Sequence, residues 1–182
     1  MSISQNNIYY MNLALKQARK SLGKTSTNPS VGCIIVKDKY VLNSAHTGFG
    51  GRPHAENLAL RIPQINKKNS LMYTTLEPCS HYGKTPPCVN TIIKSGIKKV
   101  FFSINDPDTR SFNKCKKKLN KYGIKVKSGL LSKKINTFYT DYRNKRLDKL
   151  PYVSAKLAVS KDYYSINRKR KWITNLYSRG RV

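Results

Sequence analysis

Acidic residues are scarce in this chain: its 182 residues hold 36 Lys+Arg and only 8 Asp+Glu, for a formal net charge of +28. Glutamate occurs only as Glu56 and Glu77, and histidine only as His46, His54 and His81. Long apolar runs are missing, so no membrane span is expected. The N-terminus, MSISQNNIYYMNLALKQARK, lacks the basic-then-apolar order of a secretory signal, and a cytoplasmic protein is expected. In a reducing compartment the 4 cysteines argue for metal ligands or free thiols over disulfides. Internal repeats and low-complexity linkers are also missing. The length suits one domain with a real core, with room for a short appendage.

The surplus of cations has two readings. Clustered cations neutralise phosphates and release counterions, which points to nucleic acid. Lys, Asn, Ile and Tyr are also the residues favoured by AT-rich coding, which points to composition alone. The lysines are spread along the chain apart from runs near 114–118 and 168–171. Composition is therefore the favoured reading, with nucleic acid an incidental partner and anionic substrates a real one. The scarce residues are more informative. All three histidines and both glutamates lie between 46 and 81.

Hydrophobic periodicity predicts a helix over 7–22, with Ile8, Met11, Leu15, Ala18 and Leu22 on its apolar stripe and Gly23 as its stop. Strands are expected at 31–37 and 40–45, turned by Asp38-Lys39, and at 71–77, 99–104 and 124–129. A helix starts near His54 and buries Ala55, Leu58, Ala59 and Ile62. Further helices are expected from Cys88 to Gly96, over 112–122 and over 132–146. Strands alternating with helices imply a mixed sheet covered on both faces. Cys33 reads as a buried thiol in a strand, and Cys115 as a surface thiol in a lysine-rich helix. Beyond Pro151, PYVSAKLAVS could form a strand, and the remainder shows no clear period.

The stretch LEPCSHYGKTPPC, 76–88, sets Cys79 and Cys88 with eight residues between them, wider than the usual spacing of cysteine pairs in small zinc sites. A catalytic zinc takes three protein ligands and keeps one position for water. Cys79 and Cys88 supply two thiolates. His54 is the best third candidate, because Glu56 lies two residues on: in zinc deaminases a His-x-Glu pairs with Pro-Cys…Cys, and the glutamate shuttles protons without touching the metal. Zinc lowers the pKa of water to about 7. Deamination needs one proton removed from water and one delivered to the leaving amine, and a single carboxylate can do both in turn. A closed structural site using both cysteines and two histidines is the alternative. Glu77 is expected to accept hydrogen bonds from backbone amides of the zinc loop.

TNPSVGC, HAENLAL, TTLEPCSHYGKTPPC and INDPD, in this order, resemble the deaminase half of the bacterial bifunctional riboflavin-biosynthesis deaminase/reductases. PYVSAKLAVSKD and KWIT resemble the opening of the reductase half. The resemblance implies a cytidine-deaminase-like α/β/α sandwich with a mixed five-stranded sheet. It implies one Zn2+ per chain on His54, Cys79 and Cys88, with Glu56 as the proton shuttle. Asn28, His46, His81 and Lys84 would surround the substrate, a small phosphorylated pyrimidine. The implied reaction is hydrolysis of 2,5-diamino-6-(5-phosphoribosylamino)pyrimidin-4(3H)-one to 5-amino-6-(5-phosphoribosylamino)uracil and ammonia. Homo-oligomers occur in such a family.

The chain also departs from the family pattern. SFNKCKKKL stands where a glycine-bearing stretch is usual, and Leu42 and Ser44 replace glycines near His46. Lys161-Asp162-Tyr163 replaces Leu-Asp-Gly, and the loop to Trp172 is shortened. The expected organisation is a deaminase domain over 1–147 and a truncated reductase start over 148–182. No NADP and no reductase activity are expected, so a separate reductase would take the next step. The rival functions are a tRNA or nucleoside deaminase and a non-catalytic RNA-binding module.

Overall fold

The computed structural model describes residues 3–61, 66–147, 153, 155, 157, 159 and 161–163. The chain divides into two units, Met1–Pro151 and Tyr152–Val182, and the fold below is that of the first. Ile62, the expected strand over PYVSAKLAVS in large part, and the KWIT stretch lie outside the described residues.

Helix α1 spans Ile3–Lys20. Strands β1 (Gly32–Lys37) and β2 (Tyr40–His46) form a hairpin, and Asp38 and Lys39 turn it with positive φ values of 49° and 69°. Two adjacent positive-φ residues match the right-handed twist of the flanking strands. Helix α2 (Ala55–Leu60), β3 (Leu71–Leu76), α3 (Cys88–Lys94), β4 (Lys99–Ile104), α4 (Lys114–Lys121) and β5 (Lys125–Ser128) follow. The expected single helix over 132–146 is two: α5 (Ser132–Phe138) and α6 (Thr140–Leu147). Tyr139 breaks it because its buried ring reaches inward, where its hydroxyl contacts Thr75 Oγ1 at 2.7 Å and donates to the Ser30 carbonyl at 2.9 Å.

The sheet order is β2-β1-β3-β4-β5. β1 is antiparallel to β2 and β3, whereas β3, β4 and β5 are parallel. Helix α1 packs on β1, β2 and β3, and Lys134 of α5 donates to Asn12 of α1, so these two helices share a face. Helices α2, α3 and α4 contact one another in series on the other face. The central strands are buried on both sides, which is why GCIIVK, LMYTTL and KVFFSI are nearly continuous apolar or β-branched runs. Tyr10 of α1 packs on Tyr73, which stacks on Phe101 at 4.7 Å. Gly32 lets α1 approach: a Cβ there would run into the Ala14 carbonyl.

Several expected core positions move. Ile8 and Leu22 are exposed, and Tyr10 and Ala14 take their place beside Met11, Leu15 and Ala18. The inward stripe of α1 is therefore narrower than the run of apolar residues, and the helix ends before Leu22. Leu58 is half-buried while Leu60 is buried. Cys115 is fully buried, not on the surface. With Leu119 it forms the inward face of α4, and Lys114, Lys117, Lys118 and Lys121 take the other side at i, i+3, i+4 and i+7.

Candidate active site

The topology brings four chain crossings to one edge of the sheet. β3 and β4 run parallel, so the segments leaving them, Glu77–Pro78–Cys79 and Asn105 to Ser111, emerge side by side. β1 runs against β3, so the loop entering it, Thr27 to Val31, arrives at the same edge. β2 ends there too, with Thr47 accepting from the Val31 amide at 2.9 Å. The carboxyl ends of such strands are where open α/β sheets place their ligand sites. A cleft of about 390 Å³ opens at this edge.

Its floor is built from the starts of α2 and α3. His54 precedes α2 as its N-cap, and Cys88 is the first residue of α3. His54 Nδ1 lies 3.2 Å from Cys88 Sγ and 3.6 Å from Cys79 Sγ. Their three candidate ligand atoms lie within 4.8 Å of one another. Two sulfurs and an imidazole nitrogen are donors that zinc prefers, and three protein donors leave a tetrahedral ion one position for water. The Cys88 amide donates to Cys79 Sγ at 3.2 Å. Hydrogen bonds from Cys88 and then from His54 draw the Cys79 thiol down to about 4, so this sulfur is a ready thiolate. The Cys88 thiol moves the opposite way, because it is the donor in that pair and is buried.

Glu56 lies in the first turn of α2 with 3% of its surface exposed. Burial, and then the Cys79 thiolate, push its carboxyl up to about 7. A group poised there can both take and give a proton near neutral pH.

The sequence-derived residues divide into two groups. Asn28, His81 and Lys84 line the cleft together with His54, Glu56 and Cys79. Asn28 donates its amide to the Gly51 carbonyl at 2.9 Å, which fixes the plane of the side chain. Gly51 permits this contact: its φ is +90°, and a Cβ there would meet Asn28 Nδ2 at 2.6 Å. His81 Nδ1 pairs with the Ser111 hydroxyl at 2.8 Å. His46 stands apart. It is not part of the cleft wall, where its neighbour Thr47 stands instead, and burial, followed by the charges of Lys20 and Lys24, lowers its pKa. Strand alternation makes this an either-or outcome, because adjacent residues point to opposite sides.

Glu77 does accept backbone hydrogen bonds, but not from the cysteine loop. Its carboxylate takes the amides of Asp106 at 3.3 Å, Asn113 at 3.1 Å and Cys115 at 3.0 Å. It thus ties the end of β3 to the loop after β4 and to the start of α4. Asn113 adopts φ 59°, the left-handed conformation that glycine enters most freely and asparagine tolerates. The stretch without glycine keeps its turn by this means.

Sequence reasoning missed the outer wall: Arg52, Thr85, Asp106, Asp108, Arg110, Tyr142 and Arg146 also line the cleft. Arg52 Nη1 donates to Thr85 Oγ1 at 2.6 Å, linking the approach to α2 with the cysteine loop. INDPD carries part of the family resemblance, but no site role is expected of its aspartates. Its available signal was the placing of 2 of the chain's 8 acids two residues apart after a strand.

Residues 4–104 match the cytidine and deoxycytidylate deaminase zinc-binding region. The chain is 41% identical over 170 residues to the riboflavin biosynthesis protein RibD of Bacillus amyloliquefaciens, covering 92% of this chain and 46% of that protein. It is 42% identical over 128 residues to the diaminohydroxyphosphoribosylamino-pyrimidine deaminase of Buchnera aphidicola subsp. Acyrthosiphon pisum, covering 70% of this chain and 87% of that protein. Among solved structures, the diaminohydroxyphosphoribosylaminopyrimidine deaminase/5-amino-6-(5-phosphoribosylamino)uracil reductase of Thermotoga maritima superposes with a TM-score of 0.84 at 33% identity, over 96% of this chain and 51% of that one. The chain spans about half the length of the RibD proteins it matches. The mixed five-stranded sheet is thus a cytidine-deaminase-like fold. No helix among the described residues is long and apolar enough to cross a membrane.

Proposed function

We propose an aminohydrolase, beginning from its kinship: the chain belongs to the cytidine and deoxycytidylate deaminase family, in the branch that holds the diaminohydroxyphosphoribosylamino-pyrimidine deaminases. The reaction is hydrolysis of 2,5-diamino-6-(5-phosphoribosylamino)pyrimidin-4(3H)-one to 5-amino-6-(5-phosphoribosylamino)uracil and ammonia, a step of riboflavin synthesis. One observation carries this reading. His54, Cys79 and Cys88 converge within 4.8 Å, with the buried Glu56 in the first turn of the helix that His54 caps.

His54, Cys79 and Cys88 would hold zinc, which supplies a water acidified to near-neutral pKa. Glu56 accepts one proton of the attacking water as the C–O bond forms and delivers it to the ring nitrogen. The remaining hydroxyl proton then passes through the same carboxylate to the exocyclic amine, whose C–N bond breaks as the C=O forms, and ammonia leaves. Burial keeps the Glu56 proton from exchanging with bulk water and sets its affinity near the working pH. Asn28, held in plane by Gly51, presents an amide with both donor and acceptor to the pyrimidine edge. His81 and Lys84, on the loop between the cysteines, face the phosphoribosyl end. Residues 1–147 carry this activity, residues 148–182 begin a reductase-like sequence, and the product suits a reductase of the following step.

The test is zinc-loaded protein given the diaminopyrimidine ribotide and followed for ammonia release. Turnover is expected. Folded, zinc-bound protein that releases no ammonia overturns the reading.

A further inference from the structure

The wall of the cleft formed by the loop after β4 and by α6 carries charges that the deamination chemistry does not use. Asp108 is buried at this wall, with 9% of its side chain exposed. Its carboxylate accepts from Arg110 twice, Nε at 2.9 Å and Nη2 at 2.6 Å. Arg146, on α6, brings Nη1 to 3.7 Å from the same carboxylate. The two guanidinium groups hold the Asp108 carboxyl down to about 2, so it stays ionised at neutral pH. At Asp108 itself one negative charge therefore faces two positive ones, with the Asp106 carboxyl on the same wall.

This arrangement is rigid for a surface cluster. The Asp108 amide donates to Asp106 Oδ1 at 3.0 Å, and the Asp106 amide is held by Glu77. Arg146 lies over the Tyr142 ring at 5.7 Å, and the Tyr142 hydroxyl donates to Asp106 at 3.2 Å. A guanidinium has five donors in a fixed plane, and the two bonds from Arg110 to Asp108 use only part of one such set. Arg110 also keeps 56% of its side chain exposed, on the rim of the cleft.

We propose that Arg110 and Arg146, aligned by Asp108, form an arginine clamp for the phosphate of the substrate. Asp108 is a positioning residue, which orients the forks without touching the ligand. The clamp adds planar, multidentate recognition to the point charge of Lys84, a geometry suited to phosphate oxygens. The wall thereby selects a phosphorylated pyrimidine over its nucleoside. This inference rests on reading the cleft as the site of a phosphoribosyl substrate.

The test compares zinc-loaded full-length protein with Arg110→Gln, Arg146→Gln and the double variant, on the ribotide and on its dephosphorylated riboside. With the ribotide, each single change is expected to lower kcat/KM by about tenfold to a hundredfold, mainly through KM. With the riboside, kcat/KM is expected to stay within a factor of about two, because no phosphate contact is lost. Asp108→Asn is expected to raise KM for the ribotide while zinc content stays constant. Equal losses on both substrates, or no change on either, overturn the clamp while wild-type turnover upholds the deaminase reading. A wild type that turns over neither substrate refutes the deaminase reading alone, and calorimetric binding of ribose 5-phosphate then decides the clamp. Binding that weakens in Arg110→Gln supports it, and unchanged binding overturns it. Arg110 is exposed enough that this variant serves if the double variant does not fold.

Discussion

The floor and the outer wall of the cleft solve the same electrostatic problem in opposite ways. On the floor, Glu56 is buried beside a thiolate, and its carboxyl rises to about 7. On the wall, Asp108 is also largely buried, yet its carboxyl falls to about 2 because Arg110 bonds to it directly. Burial penalises the charged form, and a bonded cation outweighs that penalty. The floor therefore holds a carboxylate that can exchange a proton near neutrality. The wall holds one that stays charged and serves as an anchor for cations. Asp106, between them, is buried without a cation bonded to it and rises to about 6.

The contrast is broken most strongly at Glu56. Glu56→Gln should keep zinc at full occupancy and lower kcat by about a hundredfold to ten-thousandfold, the range for a lost general acid–base. Metal analysis alongside ammonia release checks this, and loss of the zinc would mean that the glutamate belongs to the metal site itself.

Glu77 links the two regions and should act on stability. Glu77→Ala leaves the amides of Asp106, Asn113 and Cys115 without their acceptor. A loss of roughly 3 kcal/mol is expected, since each buried donor left unpaired costs about 1–3 kcal/mol and water will reach some of them. Chemical denaturation measures it. A loss below about 1 kcal/mol would show that the wall does not depend on β3.

Asp106 gives a pH signature. Its folded pKa of about 6 lies above the ordinary aspartate value, so the folded state binds the proton more tightly. Its contribution is fully present below about pH 4 and is lost as pH rises through about 6. Asp106→Asn should remove that decline and raise stability at pH 7 by about 1–2 kcal/mol relative to its effect at pH 4. Its side-chain oxygen can still accept from the Asp108 amide and the Tyr142 hydroxyl. Asp108 works with the opposite sign, its contribution being lost as pH falls from about 4 towards 2. Thermal melts of both proteins across pH 4 to 7 read the difference.

The smallest effect is expected at Asn113. Asn113→Gly should be neutral or slightly stabilising, and Asn113→Val should cost about 1–2 kcal/mol for a β-branched residue at positive φ. Equal stabilities would mean that the turn before α4 carries no strain.

The floor was legible in the sequence because its parts are local. His54 and Glu56 sit within one helical turn, Cys79 and Cys88 bracket one loop, and scarce residue types cluster around both. The strands at 31–37, 71–77 and 99–104 were legible because burial on both faces writes a continuous apolar run. Cys115 was misjudged because the lysines around it hide an i, i+4 pair with Leu119, and only the packing of α4 shows which side turns inward. The break of the last helix at Tyr139 depends on two hydrogen bonds to distant partners, Ser30 and Thr75.

By itself, then, the sequence picked out His54, Glu56, Cys79 and Cys88 as one group and the order of strands and helices, because residue type and short-range period specify them. The tertiary structure alone decided that Thr47 and not His46 faces the cleft, that Glu77 serves the loop after β4, and that Arg110 and Arg146 meet at Asp108. Those outcomes depend on parallel and antiparallel strands delivering distant loops to one edge. Charge and spacing along a chain carry no record of which loops a sheet brings together.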